Sequence, residues 1–418
     1  MNSFRPEIHL LLDCARTCLD AQGASRIKSL ISEDFDWTYL SRIALGHRMM
    51  PLLYRTLNST CSDAVPKEIL QELREHFYAN AGRNLFLTKE LIKIVEFFEA
   101  HGIPSIPYKG PVLAASVYGN LAFREFGDLD ILVRERDYPR AQRLLVDLGF
   151  RLTIEHEWEN EFVDESGKVA VDLHQRIAPQ DFPSQLTFDY LCKRLQPVVL
   201  PGGTASTLCS EHTLLMLSIQ VTKDGNLQLS KICDIAELLR VDHHLNWAQV
   251  LKETHRLGGQ RMLLYALRLA RDLIGTALPQ EIASETLFHP SLNGLVAHAR
   301  RQLFHLDDSV YEPRPADCLR WVLQERLRDK LRAYHGFLHD VVVPCEPDRK
   351  LLPLPRELSF LYYFIRPVRL LGKRGLRQIE RIVTRPTNHD CGHDETPVMP
   401  GGLETKSYTF KRREPTAK

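Results

Sequence analysis

From the N-terminus to about residue 102, apolar residues recur at helical spacing, most clearly at Leu85, Phe86, Leu87, Leu91, Ile92, Ile94, Val95, Phe97 and Phe98. This repeat of three and four predicts helices, and Gly102 stands where such a helix would close. The pattern then changes. A short apolar run over residues 103–108 predicts a strand, broken at Lys109-Gly110-Pro111, and the small residues of 112–117 predict a short helix. Residues 128–134 predict a second strand, 138–148 an amphipathic helix closed by Gly149, and 150–156 a third strand. Segments 160–165 and 168–174 flank Ser166-Gly167, a turn-forming pair, and predict a hairpin.

Pro201-Gly202-Gly203 reads as a break, after which helical spacing returns over 211–222, 229–240, 247–257 and 260–274 and continues through most of 290–340. From about residue 385 the chain has Pro386, Pro397, Pro400, Gly401 and Gly402 and few large apolar residues, too little surface to offset the entropy of ordering. The expected organisation is a helical region 1–100, an α/β core 101–200, a helical domain 201–345, an aromatic and basic segment 346–384, and a disordered tail 385–418.

Composition changes this picture little. The 418 residues, 44% hydrophobic and 26% charged, are those of a soluble globular protein with room for one large or two ordinary domains. Lysine plus arginine (54) nearly balances aspartate plus glutamate (53), so no whole-chain field draws the protein to nucleic acid or anionic membrane. The cysteines are scattered, without a CxxC pair or a zinc-like cluster, which fits a reducing cytoplasm. Arg5, Glu7, His9 and Asp13 interrupt the first apolar residues, as neither a signal peptide nor a spanning helix would. A cytoplasmic location is the expectation.

The candidate chemistry lies at the second strand. Asp128 and Asp130 are two apart, so their side chains leave one face and can converge. Converging carboxylates repel unless a cation lies between them, and oxygen ligation suits Mg²⁺ or Mn²⁺. Leu129, Ile131, Leu132 and Val133 predict a buried strand, and Gly127 leaves room for a phosphate to approach the backbone. An Asp-Leu-Asp alone is also what a solvated strand end looks like. Two neighbours argue for more: the Lys109-Gly110-Pro111 loop, and Val171-Asp172-Leu173-His174, where Asp172 sits among apolar residues and needs a partner.

Tyr108-Lys109-Gly110, Leu113, Tyr118-Gly119, Arg124, the run Gly127-Asp128-Leu129-Asp130-Ile131-Leu132-Val133, the helix end Leu148-Gly149-Phe150 and Val171-Asp172-Leu173-His174 together resemble the bacterial nucleotidyltransferase-like proteins of the DNA polymerase β superfamily, and an incompletely characterised branch of it. The resemblance covers about residues 85–240. It implies an α+β or α/β fold with a polymerase β-like core, a mixed sheet with helices, flanked here by helical regions. It implies that Asp128 and Asp130 hold the metal and that Asp172 completes the site. The superfamily's Gly-Ser loop is matched only in Gly110, at a longer spacing from Asp128, and Lys109 could supply charge to a triphosphate where a serine would give a hydroxyl. The implied reaction is Mg²⁺-dependent transfer of a nucleoside monophosphate from an NTP such as ATP to an acceptor hydroxyl, with Asp172 as metal ligand or general base.

Arg124 reads equally as a phosphate clamp or as an ion-pair partner of Glu125 or another surface acid. His174 shares a strand face with Asp172 and either contacts substrate or is hydrogen-bonded to the Asp172 carboxylate. Lys231 and Asp234, three apart on a helix, are weaker candidates for the cleft, in a region where Gln220 and Lys223 stand in place of the histidines associated with the family. The acceptor is left open among a small molecule, RNA and protein. A toxin-like transferase and a non-catalytic nucleotide- or partner-binding protein of a biosynthetic gene cluster are the competing readings.

Residues 351–371 are rich in Leu, Phe and Tyr, with Pro353, Pro355 and Pro367, and lead into Lys373, Arg374, Arg377, Arg381 and Arg385. The prolines and charges argue against a spanning helix. Peripheral contact with anionic lipid or a polynucleotide through residues 366–385 is one reading. The preferred one is plainer, with the aromatics packed and the arginines solvated.

Overall fold

The N-terminal apolar repeat folds into α1 (Pro6–Cys14), α2 (Ala21–Leu30), α3 (Trp37–Gly46), α4 (Met50–Thr60) and α5 (Lys67–Ala100) in a computed structural model. The structure describes residues 4–178, 186–223, 227–304, 322–331, 342–343 and 356–368. Helix α5 has 34 residues and so runs roughly 50 Å, burying Asn84, Leu87, Thr88, Leu91 and Phe98 along one stripe. Its end follows the sequence expectation. Gly102 takes φ +70°, its N–H donates to the Glu99 carbonyl at 2.9 Å, and Ile103 N–H donates to Phe98 at 2.9 Å, the paired bonds of a glycine-closed helix.

Beyond Gly102 come β1 (Ser105–Pro107), α6 (Gly110–Tyr118), β2 (Asp128–Val133), α7 (Tyr138–Asp147), β3 (Phe150–Glu155), β4 (Glu159–Asp164) and β5 (Ala170–His174). The five strands form one sheet in the order β1-β2-β5-β4-β3. Only β2 and β5 run parallel; the other pairs are antiparallel. This is the expected mixed sheet, and the hairpin expected around Ser166-Gly167 is β4–β5.

Strand alternation sorts β2 between two cores. Leu129, Ile131 and Val133 pack with Leu91 and Phe98 of α5, Ala141 and Leu145 of α7, and Val171 and Leu173 of β5. Leu132 joins a larger core shared by α1, α3 and α4 with the helices that follow the sheet. Those are α8 (Phe188–Leu191), α9 (Ser210–Lys223), α10 (Leu229–Val241), α11 (Trp247–Leu257), α12 (Gln260–Leu269), α13 (Gln280–Phe288) and α14 (Pro290–Leu303). Asp128 and Asp130 therefore leave β2 on the face that α9 and α10 cover.

The break read at Pro201-Gly202-Gly203 is the turn of a further hairpin. Strands β6 (Leu195–Leu200) and β7 (Gly203–Leu208) pair antiparallel, with Gly202 at φ +103°. Their sequence hides them: Pro197 lies inside one strand, and the other, GTASTL, has little apolar alternation. Thr207 ties β7 to the sheet by donating to the Pro107 carbonyl at 2.7 Å.

The chain divides into a unit Met1–Pro367 and a unit Val368–Lys418, and the sheet lies wholly in the first. No helix among the described residues is long and apolar enough to cross a membrane. The expectations for residues 369–385 and for the tail from 385 fall outside the described residues, as do most of those for 305–355.

Candidate active site

Parallel pairing of β2 with β5 sets the geometry. The register places Asp130 beside Asp172 and Leu132 beside His174, so alternate residues of two adjacent strands present their side chains on one face. Asp130, Asp172 and His174 each offer a ligand atom, all within 4.8 Å of one another. Asp130 and His174 are buried, and Asp172 is half-buried. Asp128, one pleat along β2, is not in this set; it lines the neighbouring cleft together with Asp130.

His174 lies between two acids. Its Nε2 is 3.2 Å from Asp130 Oδ1, and its Nδ1 is 3.1 Å from Glu159 Oε2, at an angle that does not make a hydrogen bond. Glu159 arrives from β4, directly opposite His174 in the hairpin register, and Lys223 Nζ of α9 lies 3.6 Å from it. Tyr108 packs its ring edge-on to His174, with centroids 5.3 Å apart. The Tyr108 hydroxyl is buried and has no hydrogen-bond partner among the described residues.

Lys109, expected to be available to a triphosphate, lies 2.5 Å from Asp130 Oδ1. Burial alone would raise the Asp130 pKa, but Lys109 and His174 outweigh it and hold the group below the usual carboxylate range. Asp172 has no such cationic partner within ion-pair distance among the described residues. Burial first, then the charges of Asp130, Asp128 and Glu159, push it up to about 8. Burial and then Asp130 also raise Asp128, against the pull of Lys109, Arg48 and Arg124.

These residues fit a divalent cation. Two carboxylates and an imidazole converge, one carboxylate already draws a cationic side chain, and burial together with the neighbouring acids raises the pKa of Asp172, a load that a cation would relieve. The buried Tyr108 hydroxyl is a further polar group that a cation's water could satisfy.

Beside the carboxylates is a cleft of about 560 Å³, part of it open to solvent. Arg48, Lys109, Gly110, Arg124, Asp128, Asp130, Gln220, Gln228, Ser230, Lys231 and Asp234 are among the residues that line it. Gly110 begins α6 with φ +49°, and a Cβ there would lie 3.2 Å from the Asp128 carbonyl oxygen, so glycine lets the loop close onto β2. A Cβ at Gly127 would meet only the far end of the Arg83 side chain, with Nη2 at 3.2 Å.

Of the two readings of Arg124, the structure shows an ion pair, though with the buried Asp234 rather than Glu125 or another surface acid. Its Nε and Nη2 donate to the two oxygens of Asp234 at 2.8 and 2.9 Å, and Tyr118 Oη donates to Asp234 Oδ1 at 2.6 Å. Glu125 instead lies 3.1 Å from His76 Nε2. Asp234 is thus fully engaged while still forming part of the cleft wall. Lys231, one turn earlier on α10, lines the same cleft.

Sequence reasoning missed Glu159, although it carried the signal: pairs counted outward from Ser166-Gly167 put Glu159 opposite His174. It also missed Arg48, for which no local motif exists.

The model of a family described as uncharacterised nucleotidyltransferase matches residues 33–275 of this chain. No curated protein matches it. Among solved structures it is similar to the lincosamide antibiotic adenylyltransferase LnuA, bound to lincomycin, at 18% identity and a TM-score of 0.28, over 37% of this chain and 97% of that one.

Proposed function

The chain belongs to this family of nucleotidyltransferases and is a transferase, and from that premise we propose that it moves a nucleoside monophosphate from an NTP to an acceptor hydroxyl, releasing pyrophosphate. The observation that carries the reading is the convergence of Asp130, Asp172 and His174 at the edge of a cleft lined by Arg48, Lys109 and Lys231. Negative charge at one end and cationic side chains along the walls suit a metal-bound polyphosphate.

Asp130, Asp172 and His174 would hold the metal, with Asp128 beside them. An imidazole nitrogen among the donors favours Mn²⁺ over Mg²⁺. Bound there, the ion would polarise the reacting phosphate and offset charge on the leaving pyrophosphate. Glu159, 3.1 Å from the other ring nitrogen of His174, would favour a proton on that nitrogen and so leave Nε2 to the metal. Lys109, anchored on Asp130, holds a positive charge at the point where a phosphate would enter. Asp172 in its ionised form can accept the proton of the acceptor hydroxyl. The acceptor can be a small molecule, an RNA or a protein side chain.

The direct test incubates the full chain with each NTP, Mn²⁺ or Mg²⁺ and acceptors of the three kinds, scoring pyrophosphate release. Metal-independent NTP binding with no pyrophosphate formed under any combination would favour a non-catalytic nucleotide-binding protein.

Asp172 makes the metal site testable without turnover. Its folded pKa, about 8, exceeds the unfolded value near ~4. The group's contribution to stability is therefore complete below about pH 4 and is lost as pH rises through about 8. The metal-free protein is expected to melt at lower temperature at pH 9 than at pH 6, with Mn²⁺ reversing part of the loss. Calorimetric titration with Mn²⁺ at pH 7 in buffers of different ionisation enthalpy should show release of about one proton. Binding without proton release would remove Asp172 from the ligand set.

A further inference from the structure

Helix α3 ends in a motif that ordinarily calls for glycine. Met49 N–H donates to the Ala44 carbonyl at 2.8 Å and Arg48 N–H to Leu45 at 3.1 Å. This pair of bonds requires a left-handed residue between the helix and Met49. That residue is Arg48, at φ +56°, the one non-glycine with positive φ among the described residues. At other helix ends of the same chain the position goes to glycine: Gly102 after α5, Gly149 after α7, Gly258 after α11. A Cβ in the left-handed region crowds the backbone carbonyl, so stability alone favours Gly or Asn here.

What the arginine gains is a place in the cleft, within electrostatic reach of Asp128. It lines the cleft with Lys109, Asp128, Asp130 and Lys231. Arg124, the other arginine there, is consumed by Asp234, whereas the Arg48 guanidinium has no hydrogen bond or ion pair among the described residues. The turn that presents it is pinned. The His47 carbonyl accepts from Ser230 N–H at 3.3 Å, His47 Nδ1 accepts from Leu229 N–H at 3.3 Å, and the Gly46 carbonyl accepts from Gln228 Nε2 at 3.3 Å. Three successive residues at the start of α10 thus fix the α3–α4 turn against the helix that also carries Lys231 into the cleft. A strained backbone held by its surroundings at the wall of a candidate site is where functional strain is found.

We infer that Arg48 binds the pyrophosphate end, the β and γ phosphates, of the NTP substrate, and sets the preference for a triphosphate over a monophosphate. The inference rests on the reading of the cleft as an NTP site. Transfer requires the α-phosphorus at the carboxylates, beside Lys109; Arg48 enters the same cleft from the α3–α4 turn, close enough to act on Asp128, and its guanidinium is there for the phosphates that follow the α-phosphorus. An unpaired planar fork suits a phosphate better than a lysine would.

The test exploits the conflict between backbone and side chain. Arg48→Gly should raise the melting temperature of the full chain by about 2 °C, by relieving the left-handed residue. In calorimetric titrations with Mg²⁺ it should weaken binding of NTP and of inorganic pyrophosphate by roughly tenfold to a hundredfold, and leave NMP binding unchanged. Arg48→Lys, which keeps the charge and the strain, should recover part of the affinity and none of the stability. NTP affinity of Arg48→Gly within twofold of the wild type would overturn the inference, as would an equal loss for NMP or a fall in melting temperature. If the wild type binds neither NTP nor pyrophosphate, the nucleotidyl-transfer reading falls as well; if it binds both and Arg48→Gly is unaffected, only the role of Arg48 falls.

Discussion

Replacing Asp130 by Asn should lower kcat/KM for nucleotidyl transfer by about three orders of magnitude while the protein still folds. Asp130 is where the site's interactions meet: Lys109 lies 2.5 Å and His174 Nε2 3.2 Å from the same oxygen, and the carboxylate belongs to the only three-residue set among the described residues that could hold an ion. Asn keeps the shape of the side chain and removes its charge. Lys109 then loses its counter-ion, but Asp128 and Asp172 still act on it, so its desolvation stays partly compensated. Circular dichroism and a cooperative melt would show that the fold survives. The electron paramagnetic resonance signal of titrated Mn²⁺ should show loss of tight binding. Asp128→Asn, outside the convergent set, should cost less in metal affinity than either Asp130→Asn or Asp172→Asn. Undiminished turnover in Asp130→Asn would place the chemistry elsewhere.

Both the sheet and its acids were legible in the sequence for a local reason. Alternation along residues 128–133 and the turn pair Ser166-Gly167 fix which residues share a face, and β-pairing turns that into proximity. Asp128, Asp130, Asp172 and His174 therefore emerge together. Which of them converge was not legible, because it depends on the parallel register of β2 on β5, set by packing on both faces of the sheet and by no motif. That register makes His174 a neighbour of Asp130 and leaves Asp128 to the cleft. Long-range partners were hidden for the same reason. Arg124 and Asp234 are 110 residues apart, and nothing near Arg124 marks its acid as lying on α10. The β6–β7 hairpin escaped because Pro197 and a run of small residues erase the alternation that identifies a strand, while tertiary support from Thr207 and the Ile92 surface supplies what propensity lacks.

The second large effect concerns stability. Asp234→Ala should destabilise the protein by about 3–5 kcal/mol, because it leaves the Arg124 guanidinium charged and without its partner in a buried setting. Side-chain exposures of 15% for Arg124 and 4% for Asp234 put the pair out of bulk water, and the Tyr118 hydroxyl would be orphaned with it. Burial opposes the charge on Arg124, yet Asp234 outweighs it and holds the pKa above its ordinary value, so the guanidinium cannot escape by losing its proton. The effect is expected as a lower urea midpoint with an unchanged slope. Replacing both residues at once, Arg124→Met with Asp234→Leu, should recover much of the loss, since a matched apolar pair leaves no stranded charge. The double variant also separates structure from substrate binding. If Arg124 serves only to join α10 to the segment before β2, a refolded double variant keeps its affinity for NTP. A double variant that is stable yet has lost NTP binding would return Arg124 to the role of phosphate clamp.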